Sequence, residues 1–133
     1  MKSNHEAFLP ILRSASLALS GTLDGGLIDC RNLSAISITG RAKFNSSGTG
    51  NLTVNVYYSP DGKNFDSTAF TTLTITCSAG NTVQASKIVS VPDTGFIKIT
   101  IVNADATYSA SDVALWASVA YQFFEDKQTQ AST

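Results

Sequence analysis

Apolar and polar residues alternate with a period of two along most of this chain, the mark of strands that keep one face in a core and the other in solvent. Residues 14–20 set Ala15, Leu17 and Leu19 against Ser14, Ser16 and Ser20. A short strand is expected at residues 27–30, after a turn at Asp24-Gly25-Gly26. Residues 35–44 place Ile36, Ile38, Ala42 and Phe44 on one face, with Ser37, Thr39, Arg41 and Lys43 on the other. Residues 51–59 repeat the pattern with Leu52, Val54, Val56 and Tyr58 inward. Between these two strands lies Asn45-Ser46-Ser47-Gly48-Thr49-Gly50, rich in residues that accept positive φ, so the two are expected to pair as a hairpin.

Further strands are predicted at 70–77 (Leu73, Ile75 and Cys77 on one side), 83–91, 96–102 (Ile97, Ile99 and Ile101) and 113–123 (Val113, Leu115, Ala117, Val119 and Tyr121). Turns at Pro60-Asp61-Gly62, Ser78-Ala79-Gly80-Asn81 and Pro92-Asp93-Thr94-Gly95 separate them. In 83–91, Val89 and Val91 share one parity and Ile88 takes the other, which leaves the buried face open. No apolar stripe at helical spacing lasts three turns; the one short helical candidate, residues 5–12, is broken by Pro10. About eight strands joined by wide turns predict an all-β fold, an antiparallel β-sandwich of jelly-roll type. The expected organisation is an N-terminal arm at 1–13, the sandwich at 14–124 and a polar C-terminal tail at 125–133.

Composition narrows the function classes. Only 14% of residues are charged and the formal net charge is −1, so the chain carries no electrostatic footprint for nucleic acid. Seventeen Ser and fifteen Thr take the place of the missing charge, a mixture unsuited to a coiled coil or a disordered chain. No apolar run is long enough for a membrane span. The opening residues do not read as a secretion signal, because Glu6, Pro10 and Arg13 interrupt them. Synthesis in a reducing cytoplasm is therefore expected, with Cys30 and Cys77 as small buried hydrophobes. The sequence leaves open whether the two approach each other.

Catalytic chemistry finds little support. The single histidine, His5, stands in a polar terminal stretch without a neighbour to orient it, and no nucleophile–base pair can be nominated. Asp61, Asn64 and Asp66 have calcium-like spacing, but Lys63 in their midst and the turn chemistry of Asp and Asn favour a structural turn. No cofactor, no metal and no enzymatic activity are expected. The aromatic residues Tyr57, Trp116 and Phe124 fall opposite their strands' apolar series; a covering strand, another subunit or a sugar ring would each account for them. Phe8, Leu9, Ile11 and Leu12 must be buried either on their own domain or on a partner. These seven residues form the candidate partner interface.

Two stretches carry a family resemblance. The first runs from Leu12-Arg13-Ser14-Ala15-Ser16 to Gly26-Leu27-Ile28-Asp29-Cys30-Arg31-Asn32-Leu33-Ser34-Ala35-Ile36-Ser37-Ile38. The second is Gly50-Asn51-Leu52-Thr53-Val54-Asn55-Val56-Tyr57-Tyr58-Ser59-Pro60-Asp61-Gly62-Lys63-Asn64-Phe65. Over residues 12 to 102 the chain resembles the small β-sandwich virion proteins of tailed bacteriophages, with Phe65 where many of them carry Trp. The same Ser-Pro-Asp-Gly turn also occurs in carbohydrate-binding modules. The resemblance implies a structural virion subunit, such as a capsid decoration, head-fibre or tail-accessory protein, with no catalytic residues. Its expected partners are the major capsid protein or other virion subunits and copies of itself, with a trimer favoured. A glycan stays open as a further partner, through a carbohydrate-binding reading of the exposed aromatics.

Overall fold

The computed structural model describes residues 4–90 and 94–122. Eight strands follow in chain order: β1 (Asn4–Leu17), β2 (Thr22–Asp29), β3 (Leu33–Lys43), β4 (Leu52–Ser59), β5 (Thr71–Ile75), β6 (Thr82–Val89), β7 (Phe96–Asn103) and β8 (Ala110–Gln122). They form two four-stranded antiparallel sheets, the first ordered β1-β8-β3-β6 and the second β2-β7-β4-β5. This is the two-sheet jelly roll expected from the strand spacing. Only β4 and β5 are consecutive strands that pair within one sheet; every other connection crosses between sheets.

That topology overturns the hairpin expected of β3 and β4. β3 pairs with β6 and β8, whereas β4 pairs with β5 and β7. The inward residues Ile36 and Ile38 therefore face Leu52, Val54 and Val56 across the core rather than lying beside them, and all five are almost fully buried. Alternation is blind to this choice, because a hairpin and a crossover bury the same side chains.

β1 departs from expectation too. It starts at Asn4, so the stretch assigned to an arm, and the short helix considered for 5–12, form an extended strand opposite β8, from Asn4 facing Gln122 to Leu17 facing Ala110. Backbone hydrogen bonding to a 13-residue partner overrides weak helical propensity. Pro10 is tolerated because an edge strand needs ladder bonds on one side only. In β2, the turn expected at Asp24-Gly25-Gly26 is instead a bulge within a continuous strand: Asp24 faces Thr100 and Gly26, at φ 108°, faces Ile99. A Cβ on Gly25 would lie 2.9 Å from Cγ2 of Ile11, so this glycine lets β1 close over β2.

The core interleaves Ile97, Ile99 and Ile101 from β7, Val113, Leu115, Ala117 and Val119 from β8, and the inward series of β3 and β4. Gly40 makes room for Ile75 from the opposite sheet, whose Cδ1 would lie 2.7 Å from an added Cβ. On β6, Val83, Ala85 and Val89 turn inward and Ile88 outward, which settles the face that the sequence pattern left open. Cys30 is buried and Cys77 half-buried; both thiols are free. Burial, followed by the charge of Asp29, pushes the Cys30 thiol up to about 11. Burial also raises that of Cys77, helped by Asp105.

One end of the sandwich is closed by a polar knot. Asp105 Oδ2 accepts from the backbone N–H of Thr49 at 2.9 Å and Gly50 at 3.1 Å. Its Oδ1 accepts from Thr107 and Tyr108 at 2.9 and 3.0 Å. Buried Asn103 accepts from the Asp105 amide and donates through Nδ2 to the carbonyls of Tyr108 and Ala18. The Asp105 carbonyl in turn accepts from Ser20 N–H at 2.8 Å. One residue thus ties together the β1–β2, β3–β4 and β7–β8 loops. A Cβ on Gly50 would come within 2.5 Å of the Asp105 backbone, so glycine is required at that contact.

Two outcomes follow. The backbone donors, Thr49 first, hold the Asp105 carboxyl well below its ordinary 3.8. A depressed folded-state pKa contributes stability above the unfolded value that is lost as pH falls through the folded one. Thermal unfolding midpoints should therefore decline as pH drops from 5 to 2, and Asp105→Asn should lower the pH 7 midpoint and flatten that decline. For the thiols, alkylation of the native protein at pH 7.5 should label Cys77 before Cys30. Reduction should leave the intact mass of the monomer unchanged.

Candidate functional site

The two outer faces of the sandwich have different chemistry. On the first sheet, the outward positions of β3, β6 and β8 are small or hydroxylic around Ala35, Ser37, Ser118 and Ala120, which line an open trough of about 320 Å³. Ile88, 83% exposed, forms one rim. Further along the same face, the Arg41 guanidinium lies 5.7 Å from the ring centre of Trp116. Trp116 is half-buried and faces Thr39 and Pro10 in register.

The second sheet turns an aromatic and cationic band outward. Tyr57, Lys98 and Leu27 share one row across β4, β7 and β2. The Lys98 ammonium sits 5.5 Å from the Tyr57 ring and 4.9 Å from the Phe65 ring, within the range of cation–π attraction. In the next row, the Arg31 guanidinium covers the Phe96 ring at 4.9 Å and forms a fork with Asp29, Nε to Oδ1 at 2.9 Å and Nη2 to Oδ2 at 2.7 Å. The Arg31 side chain holds the Asp29 carboxyl below its ordinary value. Leu27 is 53% exposed at the rim of this band.

The candidate interface residues are therefore dispersed. Tyr57 and Trp116 look outward as their parity implies, but from opposite sheets, so no single aromatic platform contains both. Ile11 and Leu12 are half-buried and pack against the core of their own domain. Phe8 and Leu9 stand opposite Ser118 and Ala117 in the β1–β8 register, and their side chains lie outside what the structure describes. Phe124 lies outside the described residues.

Sequence reading missed Ile88 and the Asp29–Arg31 fork as surface features. The parity conflict within β6 was the available signal for the first; an Asp two residues before an Arg at a strand end was the faint signal for the second. The Ser59–Asn64 turn is structural at its centre. Asp61 accepts from the backbone of Lys63 and Asn64, from Asn64 Nδ2 and from the Ser59 hydroxyl, all at 2.8–2.9 Å. Those donors, Asn64 first, hold its carboxyl far below the usual range. Among the described residues, no three potential metal ligands of the His, Cys, Asp and Glu type gather, and no helix is long and apolar enough to cross a membrane.

No protein-family model matches the chain, and no curated protein matches it by sequence. Its architecture, by contrast, is shared with solved structures. A structure of infectious bursal disease virus, Gx strain, superposes with a TM-score of 0.60 at 16% identity over 91% of this chain and 33% of that one. The PBSX exported protein XepA gives 0.58 at 15% identity, over 85% and 36%. A subunit of Bacillus endospore appendages, described as disulfide-linked pili, gives 0.52 at 20% identity and matches end to end, over 92% and 91%. The chain thus spans about a third of the first two. At these identities the likeness is one of fold: an all-β jelly roll whose structural neighbours include viral capsid proteins, an exported phage protein and a pilus subunit.

Proposed function

We propose that this chain is a structural subunit of a tailed-phage virion, a capsid decoration or auxiliary protein that attaches to the particle through its N-terminal strand and sheet edges. The observation that carries this reading is the strand order β1-β8-β3-β6 over β2-β7-β4-β5, a jelly roll shared with the infectious bursal disease virus particle and the phage PBSX exported protein. The step from fold to role is an analogy. Further support comes from the resemblance over residues 12 to 102 and from a chain only 14% of whose residues are charged. Such a weakly charged chain suits subunits packed closely together, because a strong field of one sign would repel neighbours.

In this reading attachment draws on exposed side chains of the sheet faces as well as on the N-terminal strand. Ile11 and Leu12 already pack on their own core, so less of the N-terminal apolar surface is left for a partner. Ile88 is largely and Leu27 half exposed, and burying what remains of each against a neighbour contributes about 1–2 kcal/mol before ordering costs. In this reading the subunit is made in the host cytoplasm, associates with copies of itself as a trimer and joins the shell without catalysing a reaction.

Density-gradient fractionation of the native source, with this chain followed by mass spectrometry, tests the proposal. Comigration with genome-containing particles in amounts close to those of a major shell protein is the expected result. A few copies per particle would move the protein to the tail or a fibre. Absence from every particle fraction would overturn the virion reading.

A further inference from the structure

At the end of the sandwich away from the Asp105 knot, β2 and β8 flank a crevice of about 280 Å³ lined by Leu27, Ile28, Asp29, Asn32 and Tyr121. Its contents are mixed in a particular way. Leu27 and the half-buried Tyr121 supply apolar surface, with the core residue Ile28 behind them. Asp29 supplies a carboxylate whose orientation is fixed by the fork from Arg31, which is itself pinned over Phe96. That carboxylate accepts three hydrogen bonds, all from Arg31, and retains acceptor capacity. Asn32 is exposed and Tyr121 half-buried, so the amide of the one and the hydroxyl of the other add polar groups to the lining.

We infer that this crevice is a saccharide-binding subsite for one neutral pyranose ring. The Arg31 charge is matched by Asp29, so nothing in the lining selects an anion. The arrangement instead offers an apolar wall beside a fixed acceptor and two groups that both donate and accept. A pyranose presents the same combination, with C–H groups on its faces and hydroxyls around its rim. A crevice of about 280 Å³ has room for a single ring. In the bound state, adjacent sugar hydroxyls bridge Asp29 and Asn32 while the ring lies against Tyr121 and Leu27. This site differs from the outward aromatics Tyr57 and Trp116, and it does not rest on the virion reading.

The test is a two-dimensional ¹H–¹⁵N titration of the full chain with the methyl glycosides of glucose, galactose, mannose and N-acetylglucosamine. At least one should give saturable shifts centred on the amides of residues 27–32 and Tyr121, with half-saturation at about 1–10 mM. Asn32→Ala, on an exposed loop, should keep the native spectrum and weaken binding at least about fivefold; Asp29→Asn should do the same. No saturable response from any of the four up to about 100 mM would overturn the assignment. So would shifts that map elsewhere or survive Asn32→Ala.

Discussion

One end of the fold depends on a single carboxylate. Asp105 accepts hydrogen bonds from four backbone amides in two loops, while its own carbonyl and amide engage a third loop and the side chain of Asn103. The need for it follows from topology. In a jelly roll most successive strands leave one sheet and enter the other, about 10 Å away. Loops that make that crossing run over the end of the core with backbone groups that no ladder can satisfy. An ionised carboxylate supplies up to four acceptor sites in one place, and Asp105 uses all of them on backbone amides. Asn51 adds a lesser tie of the same kind, accepting from Cys77 N–H at 2.8 Å to join the β5–β6 loop to the same end.

This dependence explains what could be read from the sequence. Period-two alternation assigned the inward faces of β3, β4, β7 and β8, because those strands each bury one face in a single core. The fold class followed from their number and spacing. Strand pairing did not follow: Ile38 and Val54 are inward whether their strands lie side by side or across the core. The extension of β1 to Asn4 stayed hidden because residues 4–13 alternate poorly, and their extended form is imposed by β8 rather than by local preference. Asp105 was concealed by company, since nearly every turn in this chain carries an Asp or Asn. Only burial separates the one that holds three loops from Asp61, which caps its own turn.

The surface was legible in parity but not in assembly. Tyr57 and Trp116 read correctly as outward residues, yet parity has no means of saying that they belong to different sheets. The result is a subunit with two dissimilar faces. One holds a trough lined by Ser and Ala with Ile88 at its rim, and carries Arg41 over Trp116 further along. The other is banded by Lys98, Arg31 and the rings they cover. The crevice beside Asn32 opens at the end of the sandwich, where Leu27 and Asp29 reach it from the second sheet.

The central claim is that Asp105 makes one rigid end out of three loops. Native-state hydrogen exchange at single-residue resolution tests it most directly. The amides of Thr49, Gly50, Thr107 and Tyr108 should exchange as slowly as neighbouring ladder amides, and in Asp105→Ala all four should speed up together while β7 and β8 stay protected. Fast exchange of these amides in the unaltered protein, at the rate of the exposed loop residues Ser67 and Thr68, would contradict it.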